Sequence, residues 1–188
     1  MRIIKNLAVS IAIFLFTNSV IGQNKTKMSD ISFDKSTSYL HLGVGFGTPY
    51  VSGDLKVSIP PIQASFEKGV TDKISVGIIG GYAASYFSNK IYDPSFEDTK
   101  YTYILLGARG NYHFSTSEKF DPYVGLTLGY NIITVKVPPS VIDFKAKASL
   151  ILYGAQIGAN YYFSPNVGAF AELGYGIGFA TIGLSIKL

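Results

Sequence analysis

From Tyr39 to Leu188 the chain returns eight times to one pattern, apolar or aromatic residues at alternate positions with mostly small or polar residues between them. A period of two sends the two sets to opposite faces of an extended strand, so the pattern restricts this region to sheet structure. Turn residues interrupt it at short intervals. Read in order, the strands are Tyr39–Thr48, Ile59–Lys68, Lys73–Phe87, Lys100–Phe114, Asp121–Val135, Ala148–Phe163, Asn166–Gly176 and Ala180–Leu188. In the fourth, Ile104, Leu106, Ala108, Tyr112 and Phe114 oppose Gly107, Arg109, Asn111 and His113. In the sixth, Ile151, Tyr153, Ala155 and Ile157 oppose Gly154, Gln156, Gly158 and Asn160.

The connections are short after the second, fourth and sixth strands and longer after the first, third and fifth. That alternation, with an even strand count, is the pattern of a membrane barrel whose two termini lie on the periplasmic side. The longer connections, 49–58, 88–99 and 136–147, would be the outer loops and the place for an extracellular ligand or partner. A spacing repeat supports the count: Val76-Gly77 before Gly81-Tyr82 recurs as Val124-Gly125 before Gly129-Tyr130.

Composition decides which face meets lipid. Only 15% of residues are charged, while the chain carries 14 Tyr, 13 Phe and 20 Gly. The apolar faces are almost free of charge, and Glu67, Arg109 and Glu172 fall on the opposite ones. A soluble ligand-binding barrel would reverse this, apolar inside and polar outside. A soluble sandwich would leave a second face with too few charges for open solvent. The fold expected is therefore all-β, an eight-stranded antiparallel up-and-down transmembrane β-barrel with outer-membrane lipid around it. Its aromatic girdles would be Phe66, Tyr112, Phe114, Tyr161 and Phe163 near the short turns, and Tyr82, Tyr86, Tyr130 and Tyr175 near the loops. Lipid cannot satisfy a free strand edge, so the last strand must pair with the strand from Tyr39.

Residues 1–22 read as a signal peptide, with Arg2 and Lys5 before the apolar run Leu7–Phe16 and small residues ahead of Gln23. The run is short for a membrane-spanning helix. Residues 23–38 are polar and read as a flexible lead-in to the barrel domain, 39–188. Arg2 and Lys5 supply two of the four net positive charges, so the remainder gives no case for nucleic acid. Without Cys there is no disulfide, thiolate metal site or lipid-anchored cysteine. Neither a metal nor any other cofactor is expected.

The interior of eight strands holds little beyond side chains, though its many glycines suggest extra room. Arg109 and Glu172 fall at similar heights above their turns and could pair, as a gate or proton path or as a structural ion pair. The rule that buried charges are paired favours the structural role. Gln156, Asn131 and Asn160 are the other polar lumen candidates, and Glu67, close to a turn, reads as hydrated. His41 and His113 face inward near the turns, too few for a metal site. His113-Phe114-Ser115 has the His-x-Ser spacing of lipid A deacylases, with Glu118 nearby, but its inward direction is wrong for attack on lipid. Gly43–Gly47 and Gly174–Gly178 lack the following helix of a phosphate loop.

Three stretches carry a family resemblance: Gly107-Ala108-Arg109-Gly110-Asn111-Tyr112-His113-Phe114, Asp121-Pro122-Tyr123-Val124-Gly125 and Gly183-Leu184-Ser185-Ile186-Lys187-Leu188. With the leader, they resemble the small porin-like outer-membrane β-barrels common in Bacteroidetes, of the OmpA/OmpX type. Thr181, Gly183, Ile186 and Leu188 also resemble the C-terminal signal read by the barrel-assembly machinery, with Leu188 in place of the usual aromatic. The resemblance implies an eight-stranded barrel, and brings no catalytic residues. A monomer with a structural or surface-interaction role is expected, ahead of a small pore or a lipid-modifying enzyme. No peptidoglycan-binding domain is expected after the barrel.

Overall fold

A computed structural model describes residues 32–50, 53–88, 97–114, 117–139, 142 and 144–188. The strands are β1 (Ser38–Phe46), β2 (Lys56–Gly69), β3 (Ile74–Phe87), β4 (Thr99–His113), β5 (Phe120–Val137), β6 (Phe144–Tyr162), β7 (Val167–Gly174) and β8 (Ala180–Lys187). Each pairs antiparallel with its sequence neighbour, and β8 returns to β1, which closes the barrel. Closure pairs Tyr39 with Lys187 and Phe46 with Ala180, while Leu188 N donates to Ser38 O just beyond. Every strand thereby has a paired neighbour on each side, the condition for crossing lipid.

The turns at one end are tight for local reasons. Thr71 Oγ1 accepts from Lys73 N and Ile74 N, and Val70 N donates to Ile74 O, which reverses the chain between β2 and β3. Ser164 Oγ accepts from Val167 N between β6 and β7. At the other end the strands run further than the alternation suggested. β5 and β6 stay in register out to Val137 and Phe144, so their connection is 138–143 rather than 136–147, and Lys136, Lys145 and Lys147 stand on strands. Continued pairing satisfies backbone groups that a loop would leave to water. β2 likewise starts at Lys56, and its register shifts between Val57 and Ile62 accommodate Pro60 and Pro61, which lack an N–H for the ladder. β7 and β8 are short, which leaves the wall uneven: high over β2–β6 and low over β7, β8 and β1.

The outward face is a belt of apolar side chains that includes Ile78, Leu106, Leu126 and Leu128, each more than half exposed. A continuous belt of this kind is costly in water and at home in lipid. Phe66, Tyr112, Phe114, Tyr161 and Phe163 lie outward at the turn end, and Tyr82, Tyr86, Tyr130 and Tyr175 on the outer face toward the loop end.

Two expectations change at the interior. The leader and residues 23–31 lie outside the described residues, but the end of the polar lead-in is packed: Ser32 and Phe33 are buried. Ser32 N donates to Ser117 O and its hydroxyl to Phe120 O, which draws Phe33 into the barrel mouth. Nor do the inward glycines add open volume, because large neighbours occupy the space. A Cβ on Gly158 would sit 2.6 Å from Tyr123 Oη, and one on Gly43 2.8 Å from the Phe170 ring.

Candidate functional site

Parity along β2, β3 and β4 points Glu67, Ser75, Arg109, Asn111 and His113 into the lumen. Glu67, Gly77 and Arg109 are direct register partners on three adjacent strands. Gly77 has no side chain, so Glu67 and Arg109 meet across it, with Arg109 Nε 3.0 Å from Glu67 Oε1. The other end of the guanidinium reaches β7, where Arg109 Nη2 donates to Glu172 Oε2 at 2.5 Å. Tyr123 Oη donates to the same oxygen at 2.9 Å. One arginine thus bridges two carboxylates, and burial makes each dependent on the others.

The expectation of a hydrated Glu67 is wrong: it is fully buried. Its height beside the turn suggested water, but the mouth is covered and polar side chains take the place of solvent. Ser75 Oγ and Asn111 Nδ2 each donate to Glu67 Oε2 at 2.7 Å. Asn111 Oδ1 accepts from Gln156 Nε2 at 2.9 Å, and Gln156 Oε1 from Thr127 Oγ1.

A second cluster adjoins it. His113 Nδ1 lies 3.0 Å from both oxygens of Asp121, and a carboxylate only accepts, so the proton sits on Nδ1. Asn160 Nδ2 donates to Asp121 Oδ2, and Asn160 Oδ1 lies 2.8 Å from His41 Nε2. Tyr39 Oη is 2.9 Å and Ser75 Oγ 3.0 Å from His113 Nε2. Ser75, His113 and Asp121 therefore have the distances of a nucleophile, base and orienting acid. Ser75, however, donates to Glu67, and the Phe33 ring lies flat on His113 with centroids 3.7 Å apart, so the group is sealed. His113 faces inward, Ser115 lies outside the described residues and Glu118 is exposed.

Toward the loop end the lumen turns apolar. Ala83, Tyr103, Leu105, Leu152 and Ile177 form one buried cluster. Ile177 comes from the bend between β7 and β8, which folds inward. A cavity of about 20 Å³, the size of one water, lies between the two zones, bordered by Gln63, Thr127, Gln156 and Glu172. Asn131 stands apart from the network, 1% exposed, with neither amide atom hydrogen-bonded among the described residues. Thr181 is buried toward the lumen, and Gly183 faces Gly43 in the closing pair of strands with Ile186 beside Leu40.

Sequence reasoning missed Asp121, Ser75 and the inward aromatics Tyr39, Tyr123, Tyr162 and Phe170. Parity held the signal, since Asp121 and Tyr123 share a face with Gly125 and Thr127. For Phe33 the only signal is that it is the single aromatic in residues 23–38.

A closed antiparallel barrel of eight strands, apolar outside and filled inside by a polar network at one end and an apolar cluster at the other, defines an integral outer-membrane β-barrel protein. Residues 64–180, more than half of the chain, match the Opacity family porin protein family, and the chain belongs to that family. The chain is also similar to solved structures, of which the first agrees in fold. The N-terminal β-barrel domain of Pseudomonas aeruginosa OprF is 17% identical with a TM-score of 0.50, covering 82% of this chain and 99% of that one. Neisserial surface protein A is 17% identical with a TM-score of 0.48, covering 81% and 94%. Ail of Yersinia pestis is 13% identical with a TM-score of 0.43, covering 82% and 95%. No curated protein matches the chain in sequence.

Proposed function

We propose that the protein is a non-enzymatic, sealed outer-membrane anchor whose role is structural or surface-interacting, exercised through its loop end. The observation that carries this is the filled lumen, polar around Arg109 and apolar around Leu105, with Phe33 over the turn-end mouth. A small pore fits this filling less well, because ions would have to displace buried, hydrogen-bonded side chains. Planar-bilayer recording tests the choice: no stepwise conductance is expected, and reproducible channel openings would establish the pore instead.

In this arrangement both strand-end termini and the short turns face the periplasm, and the tall β5–β6 hairpin faces outward with the connections after β1 and β3. Those connections are where an extracellular ligand or partner would bind. The protein is a monomer, delivered by a cleaved leader and inserted by the assembly machinery through Thr181, Gly183, Ile186 and Leu188. The motif resemblance favours a Bacteroidetes-type origin. The chain has no Cys, so a cysteine at Pro139 can be labelled without background. A membrane-impermeant maleimide should label Pro139→Cys on intact cells and spare Glu118→Cys; the opposite result would invert the orientation.

A further inference from the structure

The low wall at β7 leaves one edge of β6 open. Register between β6 and β7 runs from Tyr162 to Gln156, and the last contact is Tyr175 N donating to Ala155 O at 3.0 Å. Beyond Ala155 no register partner covers this edge among the described residues. A cavity of about 590 Å³ occupies the notch, within the usual range for small-molecule sites. Lumen-facing Asn131, Leu150 and Leu152 line it together with outward-facing Ile151 and Tyr153. Both faces of β6 reach one cavity because the strand edge between them is free.

The notch also holds polar groups without partners. Neither amide atom of Asn131 and not the hydroxyl of Tyr50 finds a hydrogen bond among the described residues, although all three are buried, and both residues border the cavity. Buried polar atoms left unpaired are costly and call for a ligand or water. Tyr50 is held in place: its ring stacks on Tyr103 at 5.0 Å, and its carbonyl accepts from Tyr103 Oη. Burial, with Tyr175 and Tyr103 beside it, pushes Tyr50 up to about 12, so its hydroxyl remains a donor at neutral pH. Among the described residues no charged side chain lines the cavity. Tyr130, a girdle residue, is the register partner of Ile151, which puts the notch at the height of the loop-end membrane interface.

We infer that this notch is a lateral binding site for an uncharged monoacyl amphiphile, its hydroxyl or ester head on Asn131 and Tyr50 and its acyl tail along Ile151 and Tyr153. A carboxylate head is disfavoured because, among the described residues, no cation faces the cavity to offset its burial. The amide supplies both a donor and an acceptor and the phenol a donor, the set that a glycerol ester or alcohol head matches.

The chain has no Trp, so Leu152→Trp reports from inside the cavity without background, and Leu105→Trp is the control in the apolar cluster. Both are reconstituted in phosphatidylcholine nanodiscs after heat-modifiable migration shows that they fold. Brominated monopalmitoylglycerol should quench Leu152→Trp saturably and Leu105→Trp little, while brominated palmitate at neutral pH should not. Asn131→Leu in the Leu152→Trp background should weaken that binding about tenfold, the loss of roughly one good hydrogen bond. Equal quenching of the two reporters overturns the site. Selective quenching of Leu152→Trp in nanodiscs of brominated phosphatidylcholine, with no monoacylglycerol added, overturns the monoacyl assignment and gives the notch to a bilayer lipid. If the Trp variants do not fold, thermal unfolding of the unaltered chain gives a second readout. Monopalmitoylglycerol should raise its midpoint and palmitate should not; no shift with either overturns the site.

Discussion

At the turn end of the lumen, Glu67, Arg109, Glu172, His113 and Asp121 are joined through shared hydrogen bonds; at the loop end, Ala83, Leu105, Leu152 and Ile177 pack without a charge. The polar half is specific because its members pair with one another, although Arg109 Nε meets Glu67 only as an ion pair and His41 Nδ1 lacks a hydrogen bond among the described residues, and removal of one member leaves another buried and unpaired. The apolar half is held mainly by contact, with hydrogen bonds at Tyr103 Oη alone of its members, and it is the half that stays open at one side and leaves the Asn131 amide and the Tyr50 hydroxyl without partners among the described residues. Loss of one group should therefore spread through the turn end and remain local at the loop end.

The largest effect should come from Arg109→Ala, which strands two carboxylates in the lumen. Breaking a buried pair by deleting one partner costs about 3–5 kcal/mol, and urea unfolding in lipid vesicles should show it. Leu105→Ala should cost about 2 kcal/mol or more by leaving a cavity, with the His113–Asp121 pair undisturbed in NMR spectra. Equal spreading of the two perturbations would break the contrast between the halves.

The sequence made the walls legible and the lumen only partly so. Alternation set which residues face inward, because parity survives any choice of register. Heights above the turns put Arg109 and Glu172 at a similar level, but those counts missed that Glu67 shares a row with Arg109. That contact depends on how β2, β3 and β4 are staggered, which the barrel as a whole sets and no single strand records. Strand ends were less legible still. Lys136, Lys145 and Lys147 look like loop residues by composition, and only pairing across β5 and β6 extends the strands through them.

Smaller effects sharpen the boundary at the mouth. Phe33→Leu keeps a buried apolar side chain but removes the ring stacked on His113, and should cost about 1 kcal/mol. It should also speed hydrogen exchange at the turn end and leave the apolar cluster unchanged. Asp34 gives the smallest effect. Burial alone would raise its carboxyl, but hydrogen bonds from Ser36 and Thr37 outweigh burial and hold it below its ordinary value of 3.8. A depressed folded value means that this carboxylate stabilises the mouth above that ordinary value and stops doing so as pH falls through the lower, folded one. Asp34→Asn should flatten the acid dependence of exchange around Phe33, with a stability change within the small range of exposed polar pairs.

The most direct test of a self-satisfied polar half is compensation, measured as urea unfolding free energy in lipid vesicles. Arg109→Met alone should destabilise strongly, and adding Glu67→Gln and Glu172→Gln should restore a large part of the loss, because the buried charges then disappear together. If the triple variant is no more stable than Arg109→Met, the two carboxylates do not depend on Arg109, and the network at the turn end is not what holds the lumen closed.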